Sequence, residues 1–141
     1  VSLAKVDRKT LVLTLSQSGE TFDTISALKF AKSKSAKTAA IVNVMGSSIS
    51  RLVDKVILQG SGPEICVIST KAAFAQIITL TILALKLSLK TKKIKQREYD
   101  ASINSIRELP EVIQNILNER SGFIHRIANN YSKVKKLALS W

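Results

Sequence analysis

The sequence predicts an α/β protein: a three-layer, doubly wound parallel sheet. Three observations carry that expectation. Short, nearly continuous apolar runs recur at Leu11–Leu15, Ala39–Val44 and Lys55–Leu58, the pattern of strands covered on both faces. Helical spacing separates the first run from the second. The resulting order of strand, helix, strand, turn and strand implies right-handed parallel crossovers.

Val1–Thr10 is mixed and charged and leads into the first strand. Leu11–Leu15 is expected to lie centrally in the sheet. Thr21–Lys34 sets Ile25, Leu28 and Ala31 or Lys32 at helical spacing, with Lys29 and Lys34 toward water. After Ala39–Val44, Gly46-Ser47-Ser48 makes a turn and a short polar segment leads to Lys55–Leu58. The loop Gln59–Val67 holds Gly60, Gly62 and Pro63 and turns sharply. Ala72–Leu85 is almost wholly apolar. It is read as a buried core helix and as too short to span a bilayer, because Gln76, Thr79 and Thr81 interrupt it and Lys86 ends it. Glu98–Leu109, Pro110–Asn118 and Ser121–Val134 read as three further helices, with Pro110 suited to a first turn. The chain closes on Lys135–Trp141, whose LALSW has the look of a strand beginning. With so little ahead of the first strand and this last run cut short, the domain is expected to be trimmed at both ends.

At 141 residues with 45% apolar composition, one domain with a real core is expected and disorder is not. Val1–Thr10 has no apolar stretch of a signal peptide, and the single Cys66 excludes an internal disulfide framework, so a cytoplasmic protein is expected. The formal charge of +12 is concentrated in Lys86, Lys90, Lys92, Lys93, Lys95 and Arg97, with no acid among them. An anion patch for nucleic acid or membrane headgroups is one reading. The solvated end of a helix and its linker is the preferred one, since few aromatics stand near these lysines to stack on bases.

The turn that leaves the first strand is unusual. Ser16, Gln17, Ser18, Gly19, Glu20 and Thr21 stand where ligands bind in open parallel sheets, ahead of a helix N-terminus whose unpaired N–H groups favour anions. Three hydroxyls, the Gln17 amide and a Gly that lets the backbone approach suit a phosphate. No Lys lies in the turn, so it is not a nucleotide P-loop. Ordinary capping by Ser18 explains one hydroxyl and not three.

These residues carry a resemblance. SQSGETFDT (Ser16–Thr24), NVMGSSISRLVD (Asn43–Asp54) and GPEICVISTKAAFAQ (Gly62–Gln76) resemble the SIS (sugar isomerase) half-domain of the glutamine–fructose-6-phosphate aminotransferases. The resemblance covers about the whole chain. It implies a flavodoxin-like SIS domain over 1–141, with 98–141 a helical segment leading toward a second SIS subdomain. It implies that Ser16, Gln17, Ser18 and Thr21 bind the phosphate of fructose 6-phosphate or glucosamine 6-phosphate. Val67, through its backbone, and Ser69 would contact the sugar, while Ser47 and Ser48 would form a turn. Two departures stand out: Cys66 replaces a usual Gly, and Ala73-Phe74-Ala75 replaces Phe-Thr-Thr.

The same resemblance assigns the glutaminase chemistry, a catalytic Glu, a ring-opening His and a C-terminal Lys to regions that this chain does not contain. No catalytic residue is therefore expected here. His125 stands far from the motifs and reads as structural or exposed; Cys66 has no His to activate it. Glu64 reads equally as a sugar-orienting or a loop-organising carboxylate, and Lys71 as a phosphate neutraliser or an exposed surface group. No cofactor and no metal cluster is expected. The implied partners are a hexose 6-phosphate, the glutaminase and second SIS domains of the same enzyme, and a second copy in a homodimer; no membrane partner is expected, and nucleic acid is the disfavoured reading. Two other classes stay open: a different SIS protein, whether isomerase or non-catalytic sugar-phosphate sensor, and a nucleic-acid binder acting through Lys86–Arg97.

Overall fold

The computed structural model describes residues 5–65 and 69–134, and the chain divides into two units, Val1–Thr91 and Lys92–Trp141. In the first unit the order is β1 (Leu11–Ser16), α1 (Phe22–Ser33), β2 (Lys37–Val42), α2 (Ser48–Leu52), β3 (Lys55–Leu58) and α3 (Thr70–Lys90). The strands are parallel and ordered β1-β2-β3, with Ser16 beside Val42 and Val42 beside Leu58. All three strands therefore stop at one level, and their following loops leave from the same edge.

Alternation along the strands sorts the side chains into two layers. On one face Ala40 and Val42 form a buried cluster with Leu28 of α1 and Ile49 of α2, flanked by Val12, Ile25, Leu52, Val53 and Val56. Right-handed crossovers stepping in one direction place α1 and α2 together there. On the other face Ile41 is fully buried, and Ile57 lines a cavity of about 300 Å³ with Ile82 and Leu83 of α3. The α/β class and the helix–sheet–helix layering agree with the sequence. Buried Thr38 ties β2 to the start of β3: its amide and hydroxyl donate to Asp54 Oδ2 at 2.8 and 3.0 Å.

Several local expectations are corrected. β2, not β1, is the central strand of the described sheet, because β1 pairs with β2 alone. Leu11 is 65% and Leu15 38% exposed, so β1 is covered on the α1 face and open on the other. Ala72–Leu85 is not a buried core helix. It is part of the 21-residue α3, in which Ala72 alone is buried, while Ile77 and Leu87 are exposed. By length and composition α3 is also long enough to cross a membrane, since it continues past the apolar run to Lys90. Thr79 and Thr81 do not interrupt it, because each hydroxyl donates to the carbonyl four residues back, at 2.7 and 2.8 Å. The polar segment after Gly46 is helical, forming α2.

The second unit holds one continuous helix, α4 (Gln96–Tyr131), in place of the three expected. The Glu98 carboxylate accepts from the Lys95 amide at 2.8 Å and opens it. Pro110 lies in its interior rather than at a first turn, and the apolar period simply runs on through it. None of its residues is buried. The strand expected at Lys135–Trp141 lies outside the described residues.

Candidate functional site

β1 delivers the chain to Ser16, which is 6% exposed and ends the strand. Its Oγ accepts from the Gly19 amide at 3.0 Å and lies 3.2 Å from Thr21 Oγ1. The turn thus closes on the Ser16 side chain, and Gly19 makes it possible with φ of +69°. Ser18 is exposed; its Oγ accepts from the Glu20 amide at 3.2 Å. Ser18 therefore does not cap α1. The N-cap position belongs to exposed Thr21, which makes no side-chain cap bond. The first amides of α1 have no intrahelical acceptor, so Thr21 leaves them for water or an anion.

The turn is fastened to its neighbours. Gln17 carbonyl accepts from the Asn43 amide at 3.2 Å, and Gly19 carbonyl accepts from the Ile49 amide at 2.9 Å. Glu20 Oε1 accepts from the Ser48 amide at 2.8 Å. Bonds to the Ser48 side chain and amide hold the Glu20 carboxyl below the usual carboxylate range. Gly19 itself presses on Ser47, so that a Cβ on it would stand 2.0 Å from Ser47 Oγ and 2.5 Å from Ser47 Cβ. The Ser47 hydroxyl is buried and has no hydrogen-bond partner among the described residues.

Beyond the strand ends lies an open cleft of about 670 Å³, lined by Gln17, Asn43, Met45, Leu58, Gly62 and Glu64 among others. Asn43 shapes it: Nδ2 donates to Gly62 carbonyl at 2.7 Å and Oδ1 accepts from the Ser61 amide at 3.1 Å. Glu64 Oε2 accepts from the Ala72 amide at 3.3 Å, and Lys71 Nζ donates to the Pro63 carbonyl. Both bonds brace the loop in front of α3: for Glu64 this is the loop-organising role open in the sequence, and for Lys71 it is a contact that neither sequence reading named. Ser69 takes the N-cap position of α3 with a left-handed φ of 53°. Val67 and Cys66 lie outside the described residues. His125 sits exposed within α4. Among the described residues no group of three or more His, Cys, Asp or Glu could hold a metal ion.

Ser16, Gln17, Ser18 and Thr21 are thus gathered in one turn at a helix start, with Gln17 reaching the cleft. Sequence reasoning missed Glu20 and Asn43. Glu20 fell inside the motif but carried the wrong charge for a phosphate ligand; Asn43 stood within the Ala39–Val44 run and at the head of the NVMGSSISRLVD motif, with no role assigned to it.

Known proteins carry the same pattern. The SIS domain family model matches residues 2–86. The chain is 42% identical over 130 residues to a glutamine–fructose-6-phosphate aminotransferase (isomerizing) of Fusobacterium nucleatum, covering 92% of this chain and 21% of that protein. It is 40% identical over 135 residues to the enzyme of the same name from Methanococcus maripaludis, covering 96% of this chain and 22% of the relative. The chain thus spans about a fifth of the length of these curated relatives. Among solved structures, the C-terminal domain of glucosamine-fructose-6-phosphate aminotransferase from Francisella tularensis superposes with a TM-score of 0.78 at 27% identity, over 87% of this chain and 35% of that one. Sheet order, the turn after β1 and a family match over more than half the chain converge, and the chain belongs to the SIS domain family.

Proposed function

We propose that this chain is the sugar-phosphate-binding part of the isomerase module of a glutamine–fructose-6-phosphate aminotransferase, which makes glucosamine 6-phosphate from fructose 6-phosphate and glutamine. The observation that carries the reading is the Ser16–Thr21 turn, which sets hydroxyls and unpaired amides around the start of α1 in a chain 42% identical to proteins of that name. Ser18, Thr21 and the first amides of α1 receive the phosphate. Ser16, its oxygen already accepting from Gly19, keeps its own proton to donate to Thr21 or to the ligand. The sugar lies toward Gln17 and Asn43 in the cleft, and Val67 and Ser69 contact it as the resemblance implies.

Isomerisation needs a base that moves a proton between C1 and C2 and a group that opens the ring. Glu64, a carboxylate lining the cleft, is bonded to the Ala72 amide, and the sequence places His125 far from the motifs. We therefore assign binding to this chain and turnover to the remaining regions of the enzyme, including its glutaminase and second SIS domains, in a homodimer.

Calorimetric titration tests this. Fructose 6-phosphate should bind and fructose should bind far more weakly. Ser18→Ala and Thr21→Ala should each weaken the phosphorylated ligand by roughly 1.5–3 kcal/mol, the worth of a hydrogen bond to a charged group. Equal affinity for the two sugars, or mutants that keep full affinity, would reduce the turn to a structural one.

A further inference from the structure

Glu20 is out of place in a phosphate-binding turn. Its charge opposes a phosphate dianion, and it stands one residue from Thr21 and two from Ser18. The structure shows where that charge goes: Oε1 accepts from the Ser48 amide at 2.8 Å, across the gap between the β1–α1 and β2–α2 loops. Two further ties follow the same seam, the Ile49 amide on Gly19 carbonyl at 2.9 Å and the close packing of Gly19 on Ser47. Among the described residues, every other side-chain bond of the turn is local: Ser16 meets Gly19 and Thr21, and Ser18 meets Glu20. Among the described residues, Glu20 is therefore the one side chain of the turn that fastens it to a neighbouring loop.

We propose that Glu20 is the positioning residue of the phosphate turn: by bonding the Ser48 amide it fixes Ser18 and Thr21 against the Gly46–Ser48 loop and directs its own charge away from the ligand. The proposal rests on the sugar-phosphate reading above. The lowered carboxyl pKa of Glu20 agrees with it, because bonds to Ser48 favour the ionised form. Two consequences separate positioning from direct contact. An uncharged acceptor of the same length should serve in place of the carboxylate. Removing the donor on the far side, at Ser48, should do the same damage as removing Glu20.

The experiment titrates fructose 6-phosphate and fructose into the 141-residue chain and its variants. Glu20→Ala should weaken the phosphorylated sugar about tenfold, the loss expected when an ordered turn must be fixed by the ligand itself. Glu20→Gln should restore affinity to within about threefold of wild type, because its amide oxygen can still accept from Ser48. Ser48→Pro deletes the donor without distorting the backbone: proline suits the first position of a helix, and Ser47 before it already has φ −65° and ψ 164°. It should match Glu20→Ala, and the double variant should be no weaker than either. A spectroscopic signature comes from the Ser48 amide proton, which should shift with pH as Glu20 ionises, with a midpoint below the usual carboxylate range, and stop shifting in Glu20→Ala. Glu20→Ala or Ser48→Pro binding as tightly as wild type would overturn the proposal, as would Glu20→Gln being as weak as Glu20→Ala. Wild type that fails to distinguish fructose 6-phosphate from fructose would instead overturn the sugar-phosphate reading, and this proposal with it.

Discussion

Replacing Gly19 by Ala tests the seam between the Ser16–Thr21 turn and its neighbour. Gly19 has φ of +69°, a left-handed conformation that costs an L-residue roughly 1–2 kcal/mol. The added methyl would also stand 2.0 Å from Ser47 Oγ and 2.5 Å from Ser47 Cβ. Rotating the serine hydroxyl moves only the first contact, so one of the two loops must shift. Overpacking of that kind costs about 1–3 kcal/mol. The sum, roughly 2–5 kcal/mol, should lower the melting temperature by about 8 °C or more in a unit of this size. Circular dichroism melts and urea titrations measure it. Adding Ser47→Gly removes both contacts, so the double variant should regain the packing share and keep only the backbone strain. A Gly19→Ala protein within about 0.5 kcal/mol of wild type would refute the reasoning, as would a double variant no better than the single one.

Two further tests reach other parts of the chain. The Thr38 amide and hydroxyl, with Lys32, hold the Asp54 carboxyl below the usual carboxylate range. Its stabilising contribution is therefore fully present above that range and is lost as pH falls through the lowered value; Asp54→Asn should flatten that acid limb in pH-dependent urea melts, and an unchanged limb would refute the assignment. In α4, Pro110 removes one backbone bond from the helix interior, so Pro110→Ala should raise its stability by up to about 3 kcal/mol, read as helicity and thermal midpoint by circular dichroism. No gain would mean that the helix is already broken there in solution.

The fold class and the three strands were legible because apolar runs of four to six residues with turns between them have few other outcomes, and β3 falls on the expected residues, Lys55–Leu58. Position within the sheet was not legible. Leu11–Leu15 and Lys37–Val42 carry similar apolar density, and only pairing distinguishes an edge from a centre. The long helices were misjudged for opposite reasons. Ala72–Leu85 is almost wholly apolar, which composition alone cannot separate into buried and uncovered faces, and Phe74 and Ile77 are uncovered. Pro110 was taken as a boundary because proline is a poor interior residue, whereas neighbouring periodic residues carried α4 through it. The gathering of Ser16, Gln17, Ser18 and Thr21 was readable from spacing, since residues in one turn cannot be far apart. Glu20 and Asn43 were not, because their partners, Ser48 and Ser61–Gly62, lie 28 and 18–19 residues away.

Asn43 occupies a shared joint. Its backbone amide holds the Gln17 carbonyl, and its side chain holds Ser61 and Gly62 at both ends of a single amide group. The turn after β1 and the Ser61–Gly62 wall of the cleft are thus hung from one residue, so a shift of either is felt by the other. A lineage that needed a cleft of different shape could not retune that wall by lengthening or shortening 59–62, since the new register would pull the amide away from the Ser16–Thr21 turn. Selectivity would have to change through side chains that point into the cleft from a loop of fixed length, with residue 43 left as asparagine.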